Sequence, residues 1–282
     1  MKNYNVCWSG GLDSTLVVVQ LSRFPVNIRP FYVKGQTYRQ SEPQELKAIS
    51  VIREMLLQDS RTKANIEPIN IIEQNDPRTK ERSIVQAHRH IYMRQLKKYK
   101  DAKHGKLPPV GSHQTYIDGG YISQQYIACA SLAKHFGDAV ELGLVCNDSE
   151  ADIVRQAATQ TEKDDITERE ILCLRATDTA DDVAMLFKDC RFPLLGQEMY
   201  KKDVWQWYSE HGYTDIRSQT NSCQYPIVNS DGTTELCGVC NPCITLIRGG
   251  VLAPFTQGAL ERYRDYEENH EKEPERFRMK KF

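Results

Sequence analysis

The residues best equipped for chemistry fall into two groups, one near each end of the chain. The first is the run Ser9-Gly10-Gly11-Leu12-Asp13-Ser14-Thr15. Glycines let the backbone approach an anion closely, and the first amides of a following helix have no internal acceptors. The positive end of the helix dipole adds to the attraction. Hydroxyls of Ser9, Ser14 and Thr15 supply further donors, so by residue type the run is a phosphate cradle. It lacks the lysine of a GxxxxGK[ST] loop and the glycine spacing of a dinucleotide fingerprint. A plain strand-to-helix turn rich in Gly and Ser is the alternative; the full run at the first strand–helix junction speaks against it.

The second group is Cys223, followed by Cys237-Gly-Val-Cys240-Asn-Pro-Cys243. Cysteines two residues apart turn their sulfurs toward one ion, and Gly238 and Pro242 suit the tight turns this requires. Four sulfurs are the preferred surroundings of structural zinc, and an iron–sulfur cluster would accept the same set. Cys7, Cys129, Cys146, Cys173 and Cys190 are scattered among apolar neighbours and read as core filler. The odd total of 9 argues against a disulfide framework.

These groups need elements to hold them. Tyr4, Val6 and Trp8 alternate as a strand, and Leu12, Leu16, Val17 and Val19 continue at helical spacing. Val26 to Val33 reads as a second strand, Leu46 to Leu57 as a helix and Ile66 to Ile72 as a third strand. A helix over Ala128–Phe136 precedes a strand over Ala139–Val145. This alternation predicts an α/β fold with a doubly wound parallel sheet, whose ligands sit beyond the carboxyl ends of the strands. The loop after Trp8 belongs there, and the segment after Val33, Lys34-Gly35-Gln36-Thr37-Tyr38, leaves the second strand at the same edge as a candidate wall. Val33 and Gln36 are therefore candidate nucleotide contacts, with a plain polar loop as the alternative.

Composition limits the rest. The chain has 282 residues, 40% of them hydrophobic and 27% charged, with a net charge of -1. That balance is ordinary for a globular protein and creates no overall field toward nucleic acid or membrane. No apolar run is long enough to span a bilayer. The chain starts on a strand pattern without a secretory signal, and the expectation is a cytoplasmic protein. Residues 78–106 are basic and carry apolar spacing at Ile84, Ile91 and Leu96; a solvated helix face explains them, with RNA or an acidic partner as the sharper reading. The polar, aromatic segment from Gly111 to Tyr126 is a second candidate for the rim of the site. Residues 147–182 read as a lid or surface insertion with helical stretches, and from Phe192 a loop leads into an amphipathic helix. The charged residues from Glu261 onward read as an exposed helix or frayed tail.

The loop Ser9–Ser14 resembles the SGGxDS loop of the PP-loop ATP pyrophosphatases. With C…CGxCxxC near the other end, the chain resembles the 7-cyano-7-deazaguanine synthase (QueC) family within that group. Ser218 to Cys223 is similar to that family's T-x-S-C approach to zinc. Pro193-Leu194 with Lys201 is similar to its PL…K segment, and Gly35-Gln36 to its YGQ. The resemblance covers most of the chain, apart from insertions near 76–112 and 149–180 and the tail. It implies a PP-loop ATP-binding domain over 1–190, a helical C-terminal lobe over 191–255 closed by zinc on Cys223, Cys237, Cys240 and Cys243, and a tail over 256–282.

The activity implied is AMP- and pyrophosphate-forming activation of a carboxylate, that of 7-carboxy-7-deazaguanine, followed by attack of ammonia to give an amide, which a second activation dehydrates to the nitrile. ATP, Mg²⁺ and Zn²⁺ are the implied cofactors. Ser9, Asp13, Ser14 and Lys201 would be catalytic, with Asp13 helping to hold Mg²⁺, and Ser9 through Thr15 would contact ATP. Two departures concern the substrate end. Gly120-Tyr121 stand where the family carries Arg-Asn, and Cys146-Asn-Asp-Ser-Glu-Ala-Asp152 stands where it carries Y-P-D-C-R. This resembles the divergent paralogues found in anti-phage operons, for which the amine can belong to a protein, with the insertions available to a partner. A homodimer is implied as well. The rival enzyme is a PP-loop tRNA sulfurtransferase, which needs a cysteine pair outside the metal set. A nucleotide-sensing binding module is the rival of a different class.

Overall fold

The computed structural model describes residues 1–35, 40–102, 124–157, 159–174, 182–270 and 272. Gln36, Gly120, Tyr121 and most of the aromatic segment 111–126 lie outside the described residues.

The alternating stretch after the first two residues forms β1 (Asn3–Cys7), and the small-residue run leads into α1 (Leu12–Ser22). β2 (Asn27–Lys34) and α2 (Glu42–Gln58) follow. The single strand expected over Ile66–Ile72 is two short ones, β3 (Asn65–Ile66) and β4 (Asn70–Glu73), both parallel to β2. Pro68 lies in the break, and a proline has no amide to donate to a ladder. α3 (Arg82–Ala102) and α4 (Gln124–Phe136) precede β5 (Val140–Glu141), where only two residues of the expected strand Ala139–Val145 pair with β1.

Residues 149–174 correct the expectation of a lid. After α5 (Ser149–Gln156) they form an antiparallel hairpin, β6 (Thr159–Lys163) and β7 (Glu170–Leu174), that extends the sheet. α6 (Asp182–Phe187) follows. The stretch at Phe192 is no loop but the end of β8 (Cys190–Phe192), parallel to β5 and antiparallel to β7. The sheet is therefore mixed rather than wholly parallel, in the order β3/β4-β2-β1-β5-β8-β7-β6. A buried Arg169–Glu141 pair, bridged by hydrogen bonds of 3.0 and 2.7 Å, joins the hairpin to β5.

The chain then turns helical, with α7 (Pro193–Gly196), α8 (Lys201–Glu210), α9 (Thr214–Ser218), α10 (Asn241–Arg248) and α11 (Gln257–Asn269), plus a small ribbon of β9 (Ile227–Val228) and β10 (Thr234–Glu235). The first part of the tail is thus a packed helix, not a frayed one. Ala259 and Tyr266 are buried, and Arg262 donates to the Cys237 carbonyl at 2.9 Å.

Alternation along β1 divides the core into two layers. Tyr4, Val6 and Trp8 face α1, α2, α8 and the four clustered cysteines. Cys7 faces the opposite layer, with Phe31, Val33, Ile84, Ile91 and much of α4. The cysteine cluster shares a core with the first helix. On α3, His90 and Arg94 pair with Asp182 on α6 at 3.2 and 2.7 Å, which assigns part of the basic stretch to a structural contact. Among the described residues no helix is long and apolar enough to cross a membrane.

Candidate functional site

β1 has β2 on one side and β5 on the other, so the chain reverses its direction of winding between β1 and β5. At such a switch point the loops leaving two neighbouring strands diverge and open a crevice. The two loops here are Ser9–Gly11 and residues 142–148.

The first loop is tightly held. Gly10 has φ +70°, and a Cβ there would lie 2.7 Å from the Glu45 carbonyl of α2, so only glycine fits. Glu45 is itself fixed, accepting from Tyr32 and Ser41, each at 2.7 Å. Gly11 caps α1 in an extended conformation. The Ser14 hydroxyl accepts from the Ser9 amide at 3.2 Å and lies 3.0 Å from the Ser9 hydroxyl. Thr15 is buried and accepts from the Trp8 indole at 3.0 Å, so its side chain anchors the loop.

The second loop lies against the start of α1. A Cβ at Gly143 would lie 2.6 Å from the Ser14 nitrogen, which lets the backbone leaving β5 press on the first turn of α1. Beyond it, Asp148 accepts from the Val145 amide at 3.1 Å. Lys201, the first residue of α8, places its ammonium on Asp13 and lies 3.0 Å from Asp148. Asn147 accepts from the Lys201 amide at 3.1 Å. Burial would lower the lysine, but Asp13 and Asp148 more than reverse this and hold the ammonium above its ordinary range. Burial pushes the Asp13 carboxyl up, Lys201 opposes, and Asp148 adds to the rise. Two carboxylates thus share one buried cation. Asp13 Oδ1 is buried without a hydrogen-bond partner among the described residues, an oxygen suited to a divalent cation.

Ser9, Gly10, Gly11, Leu12, Asp13, Ser14 and Lys201 therefore come together. Val33 pairs with Ile72 and buries its side chain in the other core layer. Gln36 lies outside the described residues. Asp148 and Gly143 were not singled out from sequence. A glycine inside a strand pattern does signal close backbone approach, so Gly143 was findable. Asp148 carries no such signal.

The four clustered cysteines do meet. All are buried, and their sulfurs lie within 4.8 Å of one another, with Cys237–Cys243 and Cys240–Cys223 each at 3.9 Å. Zinc–sulfur bonds of about 2.3 Å in a tetrahedron put sulfurs about 3.8 Å apart, so the set can hold a metal ion. Amides of Cys237, Val239 and Cys240 donate to the sulfurs at 3.2–3.4 Å, as in a turn wrapped around a charged centre. Gly238 has φ +81°, and a Cβ there would lie 2.2 Å from the Ala259 carbonyl.

The metal set and the glycine loop are joined. Leu12 donates its amide to the Ser222 hydroxyl at 3.1 Å, and Asn221 donates its own to the Gly10 carbonyl at 2.9 Å. Tyr208 of α8 donates to the Leu12 carbonyl at 2.8 Å. Cys7 and Cys129 are buried in the second core layer, as core-filling cysteines are expected to be, and their sulfurs lie 3.2 Å apart. Comparison of the chain with protein-family models gives no match, and a search of curated proteins gives none either.

Proposed function

We propose that this chain is an ATP-dependent, AMP- and pyrophosphate-forming ligase that activates a carboxylate, that of a 7-carboxy-7-deazaguanine, for attack by an amine. The observation that carries this reading is the meeting of Ser9–Ser14 with Lys201, Asp13 and Asp148 at the switch point of the sheet. Bound ATP would supply an electrophilic α-phosphorus and a pyrophosphate leaving group. Gly10 seats the loop on α2, and the Ser9 and Ser14 hydroxyls provide donors at the anion's edge. Lys201 supplies an ammonium held between Asp13 and Asp148, buried where charges act more strongly than in water. Asp13 Oδ1 would hold Mg²⁺, while its other oxygen stays on Lys201. Cys223, Cys237, Cys240 and Cys243 would hold Zn²⁺ in a closed four-sulfur shell, a structural role that leaves no ligand position for substrate.

Tests follow the product. Purified protein with Mg-ATP should release AMP and pyrophosphate in a manner stimulated by 7-carboxy-7-deazaguanine. Mass spectrometry then identifies the amine: a nitrile or amide product means ammonia, and added mass on a polypeptide means a protein acceptor. AMP release indifferent to that carboxylate would overturn the substrate, and ATP untouched under all conditions would overturn the ligase. Sulfur transfer to tRNA fits less well. Cys7 and Cys129 are 5% and 0% exposed, sealed from a macromolecular substrate.

A further inference from the structure

We propose that Cys7 and Cys129 form a redox modification site: a dithiol that a peroxide converts to a disulfide directly beneath the glycine loop. Their sulfurs are 3.2 Å apart, whereas a disulfide bond is about 2.05 Å. Closing the bond needs a shift of roughly 1 Å. The two residues sit on different elements. Cys7 ends β1 and Cys129 lies mid-way along α4, so the bond would tie the central strand to a helix of the second layer. Gln125, one turn before Cys129, donates to the Cys7 sulfur at 3.7 Å, which keeps a polar group at the pair in an otherwise apolar layer.

The chemistry balances with a peroxide as the sole co-reactant. One thiolate attacks the peroxide oxygen; the O–O bond breaks, a sulfenic acid forms and one water leaves. The second sulfur then displaces the hydroxyl as a second water, and the S–S bond forms. Both sulfurs are oxidised and the peroxide is reduced to two waters. A small oxidant suits the burial of the pair. A bulky disulfide reagent does not, since exchange requires the attacking sulfur to reach another sulfur in line. Cys146, Cys173 and Cys190 are also buried, and no hydrogen bond joins any of them to a second cysteine among the described residues.

The location gives the site a consequence. Only Trp8 separates Cys7 from Ser9, so the bond would fix the end of β1 where the loop begins. That consequence rests on the proposed nucleotide reading, but the modification does not. The test treats metal-loaded protein with graded hydrogen peroxide, quenches with an alkylating agent under denaturing conditions, and maps peptides by mass spectrometry, with zinc release followed in parallel. The expected result is a Cys7–Cys129 cross-linked peptide, lighter by two hydrogens, that appears at peroxide doses releasing no zinc and is reversed by a dithiol. Cys129→Ser should abolish it and leave Cys7 alkylatable or over-oxidised. Both cysteines remaining fully alkylatable at doses that already release zinc would overturn the proposal. So would the same cross-link mass arising from other cysteine pairs instead. ATP binding measured on the oxidised and reduced forms tests the consequence separately.

Discussion

Replacing Lys201 by methionine is the most informative single perturbation, because it removes the cation shared by Asp13 and Asp148. The lysine side chain is 7% exposed, and its partners 17% and 19%. Removing one partner of such a buried pair costs about 3–5 kcal/mol, chiefly because the remaining charge is left uncompensated. Unfolding entropy of about 2.1 cal/mol/K per residue gives about 0.6 kcal/mol/K for a chain of this length, so Tm should fall by about 5–8 °C. The double variant Lys201→Met with Asp13→Asn should recover at least about 1 kcal/mol relative to the sum of the singles, since neutralising the nearer carboxylate removes part of the penalty. Urea unfolding of metal-loaded protein, read as midpoint and slope, measures all four corners of the cycle. A Lys201→Met midpoint equal to wild type, or strictly additive singles, would refute a shared buried cation.

Three further outcomes follow from close contacts and charges. Gly143→Ala puts a methyl 2.6 Å from the Ser14 nitrogen; overpacking of this kind costs about 1–3 kcal/mol, and AMP release should drop more than the urea midpoint suggests because the loop itself is displaced. Gly238→Ala meets the Ala259 carbonyl at 2.2 Å, so a chelator should strip metal faster than from wild type, as followed by a zinc-responsive dye. Asp164 is buried; burial works against its charge, yet Lys2 at 2.7 Å, the Thr167 and Ile166 amides and the Tyr4 hydroxyl hold it well below the usual carboxylate range. A depressed folded pKa stabilises above the unfolded value of about 3.9 and is lost as pH falls below it, so Asp164→Asn should flatten the acid limb of a stability–pH curve while lowering the neutral plateau.

The parts legible in the sequence were those encoded by residue type over a short span. The cysteine turn stands out because thiols recur there at fixed spacing, and its sulfurs do meet Cys223; the run Ser9–Ser14 does join a strand to a helix as its residue types suggest. β1 and β2 were legible through alternation or apolar runs, whereas the third strand is split in two at Pro68 and β5 is only two residues long. The hairpin at 159–174 was not, because Thr159–Lys163 is a polar edge strand with four exposed residues and no buried face to imprint a period. Its partner β7 is held by its ladder to β8 and, just before it, by Arg169 on Glu141, pairings no local pattern reveals. The convergence of Lys201 with Asp148, and of Cys7 with Cys129, depends on topology. Each joins residues far apart in the chain that only the strand order brings together.

That topology also sets four buried cysteines that could hold a metal ion beside the glycine loop. Residues 219–224 have no regular structure, yet they supply the Asn221 amide to Gly10 and the Ser222 hydroxyl to Leu12. A segment of this kind pays about 1–2 kcal/mol of conformational entropy per ordered residue. Cys223 sits at its end, fully buried against Cys237, Cys240 and Cys243, while Arg262 clamps the Cys237 carbonyl from α11. A metal bound there converts ligand affinity into folding free energy and fixes Cys223 one residue from the hydroxyl that receives the Leu12 amide. The geometry of the glycine loop is therefore set from both sides, by α2 behind Gly10 and by the cysteine turn in front of Leu12. Metal loss would loosen the front wall first and leave the sheet, with its own core on the opposite face, in place.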